Sequence, residues 1–158
     1  MKKITTLLLL TVVSILFIGC SDGTKRNADF LPLLKINISD DIKGDAELVE
    51  VIQTSEKAMN EFSDNIEKLV IDGKDILTKK DEEQTLMDGL KAGKLMVQFV
   101  SNSTQMAKLI EEFDTYKSTK KEQGILNDSQ LKALEEVGMA FNKRMNEINE
   151  KYKNYFDK

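Results

Sequence analysis

The sequence predicts an all-α protein, an antiparallel three-helix bundle that follows an extended N-terminal tether. Apolar residues recur at alternating spacings of three and four along three long segments, the pattern of amphipathic helices. The single proline, Pro32, precedes all three segments. Short polar stretches separate the segments, which favours helices that reverse direction from one to the next.

Composition limits the chemistry that this chain can perform. Its 158 residues, 41% hydrophobic and 32% charged, suit one compact domain rather than a disordered chain. The absence of histidine excludes every mechanism that needs an imidazole. Carboxylates are plentiful, but three amphipathic helices with acids on their outer faces offer no cleft where two would converge. The sequence therefore predicts a protein that is not an enzyme and that needs no metal or cofactor.

Residues 1–19 are typical of a secretory signal peptide. Two lysines follow Met1, and the run from Ile4 to Ile18 carries no charge. A run of this length is short for crossing a bilayer, which takes about 20 residues, but it fits the apolar region of a signal. The chain is therefore expected to be exported.

The end of this run resembles a bacterial lipobox. Leu16-Phe17-Ile18-Gly19-Cys20 places a small residue directly before the only cysteine of the chain. The resemblance to bacterial lipoprotein precursors implies cleavage between Gly19 and Cys20, and lipidation of the Cys20 thiol and of the new N-terminus. The alternatives are an ordinary cleaved signal or an uncleaved N-terminal anchor, in which Cys20 is incidental.

This resemblance predicts a location in the bacterial cell envelope. Ser21 after the cysteine resembles the outer-membrane class of enterobacterial lipoproteins, which favours the outer over the inner membrane where there are two. The net charge of −4 becomes more negative when Lys2 and Lys3 are removed. The overall charge then attracts neither nucleic acid nor an anionic membrane, so the lipid would do the tethering. The expected partners are the membrane, through the lipid, and an unidentified protein.

Residues 20–44 are expected to form the lipidated tether and an extended segment, ahead of a helical domain at 45–158. Pro32 disfavours a helix, and apolar residues then alternate with polar ones in a period of two. Packing on the bundle is the favoured fate of this segment, and contact with a partner is the alternative. The candidate partner-binding residues are Phe30, Leu31, Leu33, Leu34, Ile36 and Ile38, together with tyrosines and lysines near 152–158.

The first helix is predicted from near Asp45 to about Ile71. Its apolar stripe consists of Leu48, Ile52, Ser55, Met59, Phe62, Ile66 and Leu69. Asp72-Gly73 is the expected stop, because glycine adopts the left-handed conformation of a C-terminal cap cheaply. Asp72-Gly73-Lys74-Asp75 and the acids around Asp41 resemble metal loops only superficially, since turns and helix caps explain both groups.

The second helix is predicted to begin near Thr78, with Asp81 completing a capping box, and to end at about Lys117. It carries two neighbouring stripes. One is Leu86, Leu90, Gly93, Val97, Val100, Thr104 and Ala107, and the other is Ala92, Met96, Phe99, Ser103, Met106, Ile110 and Phe113. So broad an apolar arc predicts a central helix. Poor helix formers at 101–104 could break it and create a fourth helix.

The third helix is predicted to begin at Asn127, which Gln130 completes as a cap, after a loop that contains Gly124. Its stripe consists of Leu131, Leu134, Gly138, Phe141, Met145, Ile148, Tyr152 and Tyr155. In the second helix, Gly89 and Gly93 have the spacing at which helices approach closely, which predicts a neighbouring helix or a local weak point there.

Two functions from different classes remain open at the level of sequence. The leading one is a non-catalytic binding or structural module that a lipid holds in the envelope, where tethering raises its local concentration near a partner. The alternative is a carrier or sensor of a small apolar ligand between the helices. The residues that would line such a site are Met96, Phe99, Met106 and Phe141.

Overall fold

A computed structural model of the chain describes residues 26–156. The predicted signal peptide at 1–19, Cys20 and the first residues of the tether lie outside this range. Three helices account for most of it: α1 (Ala46–Leu77), α2 (Leu86–Glu122) and α3 (Asp128–Phe156), with single 3-10 turns at Asp40–Ile42 and Asp81–Glu83. The predicted all-α, three-helix bundle is confirmed.

Residues up to Phe30 form a unit separate from the one that begins at Leu31. Within the described part of this first unit, the chain makes a turn at Asn27. The backbone N–H of Phe30 donates to the Asn27 carbonyl, at 3.2 Å. The Arg26 guanidinium lies 5.6 Å from the centre of the Phe30 ring.

Contacts between distant residues define an up-down-up order. Lys120 of α2 pairs with Glu47 near the start of α1, whereas Leu95 of α2 lies against Gly73 near the end of α1. The two helices are therefore antiparallel. Helix α3 runs parallel to α1, since its Gln130 bonds Asp45 and its Tyr152 bonds Glu67.

Helix α1, not α2, lies at the centre of the bundle. It packs against both other helices, which touch each other little, and twelve of its residues are buried. In α2 only Met106, Leu109 and Phe113 are buried. The prediction of a central second helix is wrong because only one of its two apolar stripes faces the bundle, and that one only in part. The stripe that contains Met106 and Phe113 is partly buried, whereas the stripe that begins at Leu86 faces away from the bundle.

The turn between α1 and α2 lies later in the chain than predicted. Helix α1 continues through Gly73 to Leu77, because Gly73 serves a different purpose from a cap. A Cβ atom at this position would lie 3.1 Å from Cδ1 of Leu95, so glycine permits the close approach of α2. Helix α2 then begins at Leu86, with Thr85 and Asp88 as its capping box in place of Thr78 and Asp81.

Asp88 ties this N-terminal cap to the end of α1. Hydrogen bonds from the Lys79 ammonium, at 2.8 and 2.9 Å, and from the Thr85 backbone N–H and hydroxyl hold the pKa of Asp88 well below its usual range. A carboxyl whose pKa is lower in the folded than in the unfolded chain stabilises the fold above the unfolded pKa, about 3.9. It loses that contribution as the pH falls through the folded value.

We therefore expect Asp88→Asn to lower the melting temperature at pH 7. The difference between the variant and the wild type should narrow as the pH falls below about 4. Thermal unfolding followed by circular dichroism from pH 7 to pH 2 measures it. A difference that stays constant over this range would show that the Asp88 carboxylate charge contributes nothing.

Helix α2 is continuous through 101–104, so the possible fourth helix does not form. The Thr104 hydroxyl donates to the Val100 carbonyl one turn earlier, at 2.8 Å, and so finds its acceptor within the helix. The helix ends at Glu122, beyond the predicted Lys117. The predicted cap of the third helix is confirmed: Asn127 and Gln130 exchange side-chain-to-backbone hydrogen bonds of 2.8 and 2.9 Å.

Two glycines in the second half of the chain should respond oppositely to alanine. Gly124 has a φ of 64°, which an L side chain rarely adopts. Gly138 lies inside α3, and a Cβ atom there meets nothing within 4 Å. We expect Gly138→Ala to raise the free energy of unfolding by about 0.5–1 kcal/mol and Gly124→Ala to lower it. Urea unfolding of both variants provides the measurement, and a gain for Gly124→Ala would contradict the assigned turn.

Candidate functional site

The extended segment 31–38 lies along α1 and is held there through its backbone. The Leu31 N–H donates to Glu67 at 2.7 Å, and the Ile36 N–H donates to Glu56 at 2.6 Å. Between them, Asn60 accepts from the Leu34 N–H at 2.7 Å and donates to the Leu34 carbonyl at 2.9 Å. The three α1 residues recur at helical spacing on one face, so they give the segment partners that a neighbouring strand would otherwise supply.

The side chains of this segment follow the predicted period of two. Leu34, Ile36 and Ile38 are half-buried, whereas Lys35 and Asn37 are exposed. Leu31 and Phe30 are also half-buried, each within its own unit, and Leu33 is 52% exposed. The binding of a partner by these six apolar residues stays a prediction, and Leu33 offers the most accessible apolar side chain among them.

Two buried charges join the extended segment to α1 and α3. Glu67 is fully buried and accepts from the Tyr152 hydroxyl at 2.6 Å and from the Lys151 ammonium, in addition to Leu31. Arg144, 2% exposed, donates to the Pro32 carbonyl at 2.6 Å. Because the hydrogen bonds of both groups go to the chain itself, this arrangement is suited to fixing the fold rather than to chemistry on a substrate.

Neither residue could be predicted from the apolar periodicity, which places charged positions on outer faces. Glu67 directly follows Ile66 and therefore lies outside the predicted apolar stripe. The structure also corrects one candidate contact near the C-terminus. Tyr152 is buried, 6% exposed, and bonded to Glu67, so it does not belong to an exposed group of tyrosines.

A second polar cluster closes the opposite end of the bundle. The Lys120 ammonium lies 2.9 and 3.0 Å from the two carboxylate oxygens of Glu47, and 5.4 Å from the centre of the Tyr116 ring. Gln130 donates to Asp45 at 2.7 Å. Burial, followed by the nearby carboxylates of Glu47 and Asp45, raises the pKa of Tyr116 well above its usual range. The phenol therefore stays neutral and is not a nucleophile at physiological pH.

The four residues proposed to line an apolar ligand site do not share one environment. Met96 and Phe99 are 62% and 44% exposed on the first half of α2. Met106 and Phe141 are buried, and the Phe141 ring lies 6.0 Å from that of Phe113. Two shallow depressions among the described residues lie on the surface, one along α2 at 107–122 and one along α3 at 139–150.

The most unusual surface of the described chain is the outer face of α2. We define it by four apolar residues at successive spacings of four, seven and three, with two methionines beside them. These residues are Leu86, Leu90, Val97 and Val100, flanked by Met87 and Met96. Each of the six is between 54% and 83% exposed. This face lies opposite the side that packs on α1, which carries Leu95, Met106 and Phe113.

The outer face is uncovered because α2 extends beyond the three-helix part of the bundle. The hydrogen bonds between α3 and α1 reach as far as Glu67 in the described part of the chain, whereas Leu95 meets α1 farther along, at Gly73. The first turns of α2 therefore have α1 on one side only. Nothing lies within 4 Å of a Cβ atom added at Gly89 or Gly93, so the close neighbour predicted for this pair is absent from the described residues.

Within residues 26–156, no group of three potential metal-ligating side chains comes together, and none of the helices combines the length and hydropathy of a membrane span. Comparison with protein-family models, with curated proteins and with solved structures gives no match.

Proposed function

We propose that this protein is a lipid-anchored lipoprotein of the bacterial cell envelope that acts by binding another protein and performs no catalysis. The observation that carries the binding role is the outer face of α2. Monomeric proteins rarely expose contiguous apolar patches beyond a few hundred Å² unless the patch serves an interaction. Six large apolar side chains on one side of one helix form such a patch.

The anchoring role rests on the sequence around Cys20. A thioether-linked diacylglycerol with a further acyl chain holds a protein at a bilayer effectively permanently, since each buried methylene contributes about 0.8 kcal/mol. The chain enters the bundle at Leu31, which Glu67 holds. The roughly eleven residues between Cys20 and Leu31 span at most ~40 Å, so the bundle would remain close to the membrane.

The positions of the apolar side chains favour this role over that of a ligand carrier. A carrier needs a concave, largely enclosed site between helices. Met96 and Phe99 point away from such a site, since both are exposed, and the depressions described above lie along single helices. A convex helix face suits a protein partner better than a small molecule.

The anchor is tested by Cys20→Ser in cells that are fed a labelled fatty acid. We expect the wild type to incorporate the label and the variant to incorporate none and to accumulate as unprocessed precursor. Ser21→Ala is the matched control and should be labelled normally. Continued labelling of the Cys20→Ser protein would rule out Cys20 as the lipidated residue.

The binding role is tested in intact cells with a photo-crosslinking amino acid at single positions. At Val97, on the outer face of α2, we expect a discrete adduct after irradiation. At Glu135, which is exposed on α3, we expect none. Equal adduct formation at both positions would indicate random collision rather than a binding surface.

A further inference from the structure

We propose that the outer face of α2 binds the same face of a second copy of this chain, in an antiparallel pair of helices whose two-fold axis is level with residue 95. This inference rests on the proposed function only in taking the α2 outer face as the binding surface. It does not depend on lipidation of Cys20.

The outer face complements itself when two copies run in opposite directions. With the axis at residue 95, positions in the two chains whose numbers average to 95 face each other. The resulting layers are Leu86 with Thr104, Leu90 with Val100, and Gly93 with Val97, each repeated on the other side of the axis. Every layer joins a larger side chain to a smaller one, the complementarity that interdigitated helices require. Met96 lies beside the axis, where it would meet Met96 of the second copy.

The glycines supply an observation independent of the exposed leucines and valines. Glycine is among the poorest helix formers, yet Gly89 and Gly93 lie within α2, and a Cβ atom added at either would meet nothing within 4 Å among residues 26–156. Binding to a fluid membrane surface or to a small ligand does not require glycine at these two positions. Close packing of a second helix does, because small residues let two helix backbones approach each other.

Charge also favours the antiparallel arrangement. Between Asp88 and Glu111 the chain contains no acidic residue but three lysines, and Glu82 and Glu83 precede α2. In the proposed register, neither Lys91 nor Lys108 of one copy comes level with a lysine of the other, and only the two Lys94 residues lie near each other, beside the axis. A parallel pair in register would set all three lysines level with their own copies, which is unfavourable.

The size of the face suits a modest but specific dimer. The six side chains together expose several hundred Å², which approaches the ~800 Å² per partner of a standard protein interface. We therefore expect dissociation constants in the micromolar range for the soluble chain, and tighter association where a membrane concentrates it.

The register is tested with single cysteines in the mature chain, residues 20–158 with Cys20→Ser, which lacks the apolar signal segment and carries no other thiol. Under mild oxidation with diamide, Met96→Cys is expected to form a dimer through its own disulfide. Leu86→Cys alone is expected to remain monomeric, because its two copies lie about 27 Å apart along the helices. A mixture of Leu86→Cys and Thr104→Cys chains should crosslink with each other. A Leu86→Cys homodimer would overturn the antiparallel register.

Self-association itself is tested by sedimentation equilibrium of the same mature Cys20→Ser chain, residues 20–158, from 1 to 200 μM. We expect a monomer–dimer equilibrium, and at least a tenfold weaker association for Val97→Glu. Met139→Glu, on an exposed position of α3, is the matched control and should leave the equilibrium unchanged. Both variants should keep the helical circular dichroism of the parent. A monomer at all concentrations would overturn the proposal.

Two further outcomes separate this inference from its competitors. Binding of the monomeric chain to anionic phospholipid vesicles, lost in Val97→Glu, would assign the face to the membrane and overturn the dimer. Because these measurements use Cys20→Ser protein, which has no thiol to lipidate, their outcome does not depend on whether the lipid anchor exists. An acylated protein that stays monomeric would leave the anchoring proposal in place and remove this one.

Discussion

Glu67→Ala is expected to lower the free energy of unfolding by about 3–5 kcal/mol, the range observed when one member of a buried charged network is removed. Glu67 is fully buried and is the shared acceptor of Leu31, Lys151 and Tyr152, which belong to the extended segment and to α3. Its loss therefore weakens the attachment of both the extended segment and α3 to α1. Urea unfolding followed by circular dichroism measures the change.

Glu56→Ala is the matched control for this experiment. Glu56 lies on the same face of α1 and is only half-buried, and it accepts a single hydrogen bond, from Ile36. We expect its replacement to lower stability by about 1 kcal/mol, the typical net contribution of one hydrogen bond. An equal or larger loss for Glu56→Ala would mean that Glu67 does not hold the bundle together.

Leu134→Ala should be the second large effect, with a loss of about 2–5 kcal/mol. Leu134 is fully buried in α3, so truncation removes apolar contacts and leaves a cavity in a densely packed interior. For a chain of this size, each kcal/mol lowers the melting temperature by roughly 2–4 °C. Differential scanning calorimetry would record the shift.

Met139→Ala serves as the comparison for Leu134→Ala. Met139 lies on the same helix but is 62% exposed, so its replacement should change stability by no more than about 0.5 kcal/mol. If both variants melted alike, the assigned inner face of α3 would be wrong.

The fold class and the number of helices could be predicted from the sequence because apolar residues recur with the helical period wherever one face of a helix is buried. The apolar stripe predicted for α1 and the Asn127–Gln130 cap are confirmed, whereas Met145 of the stripe predicted for α3 is 42% exposed. The order of packing could not be predicted in the same way. Periodicity counts apolar faces but does not say which of them finds a neighbour, so two stripes on α2 suggested a central helix where one of them faces outward.

The end of α1 was misplaced for a related reason. A glycine within a helix pattern indicates a cap or a close approach equally well, and only the position of Leu95 identifies Gly73 as the second kind. The contribution of Glu67 was hidden because its partners are distant in sequence: Leu31 precedes it by 36 residues and Tyr152 follows it by 85. A single sequence records no signal for such pairings.

Only part of the candidate binding surface could be predicted from the sequence. The stripe from Leu86 to Ala107 and the spacing of Gly89 and Gly93 were both recognised, but each was assigned to packing within the chain. The exposure of this stripe gives both features a different role, since a face that α1 and α3 leave uncovered is free to meet another molecule.

The intact mass of the native protein, extracted from cell membranes with detergent, tests the central proposal most directly. We expect a chain that begins at Cys20 and carries a thioether-linked diacylglycerol together with an amide-linked fatty acid. A protein recovered without detergent, with residue 20 unmodified, would contradict it.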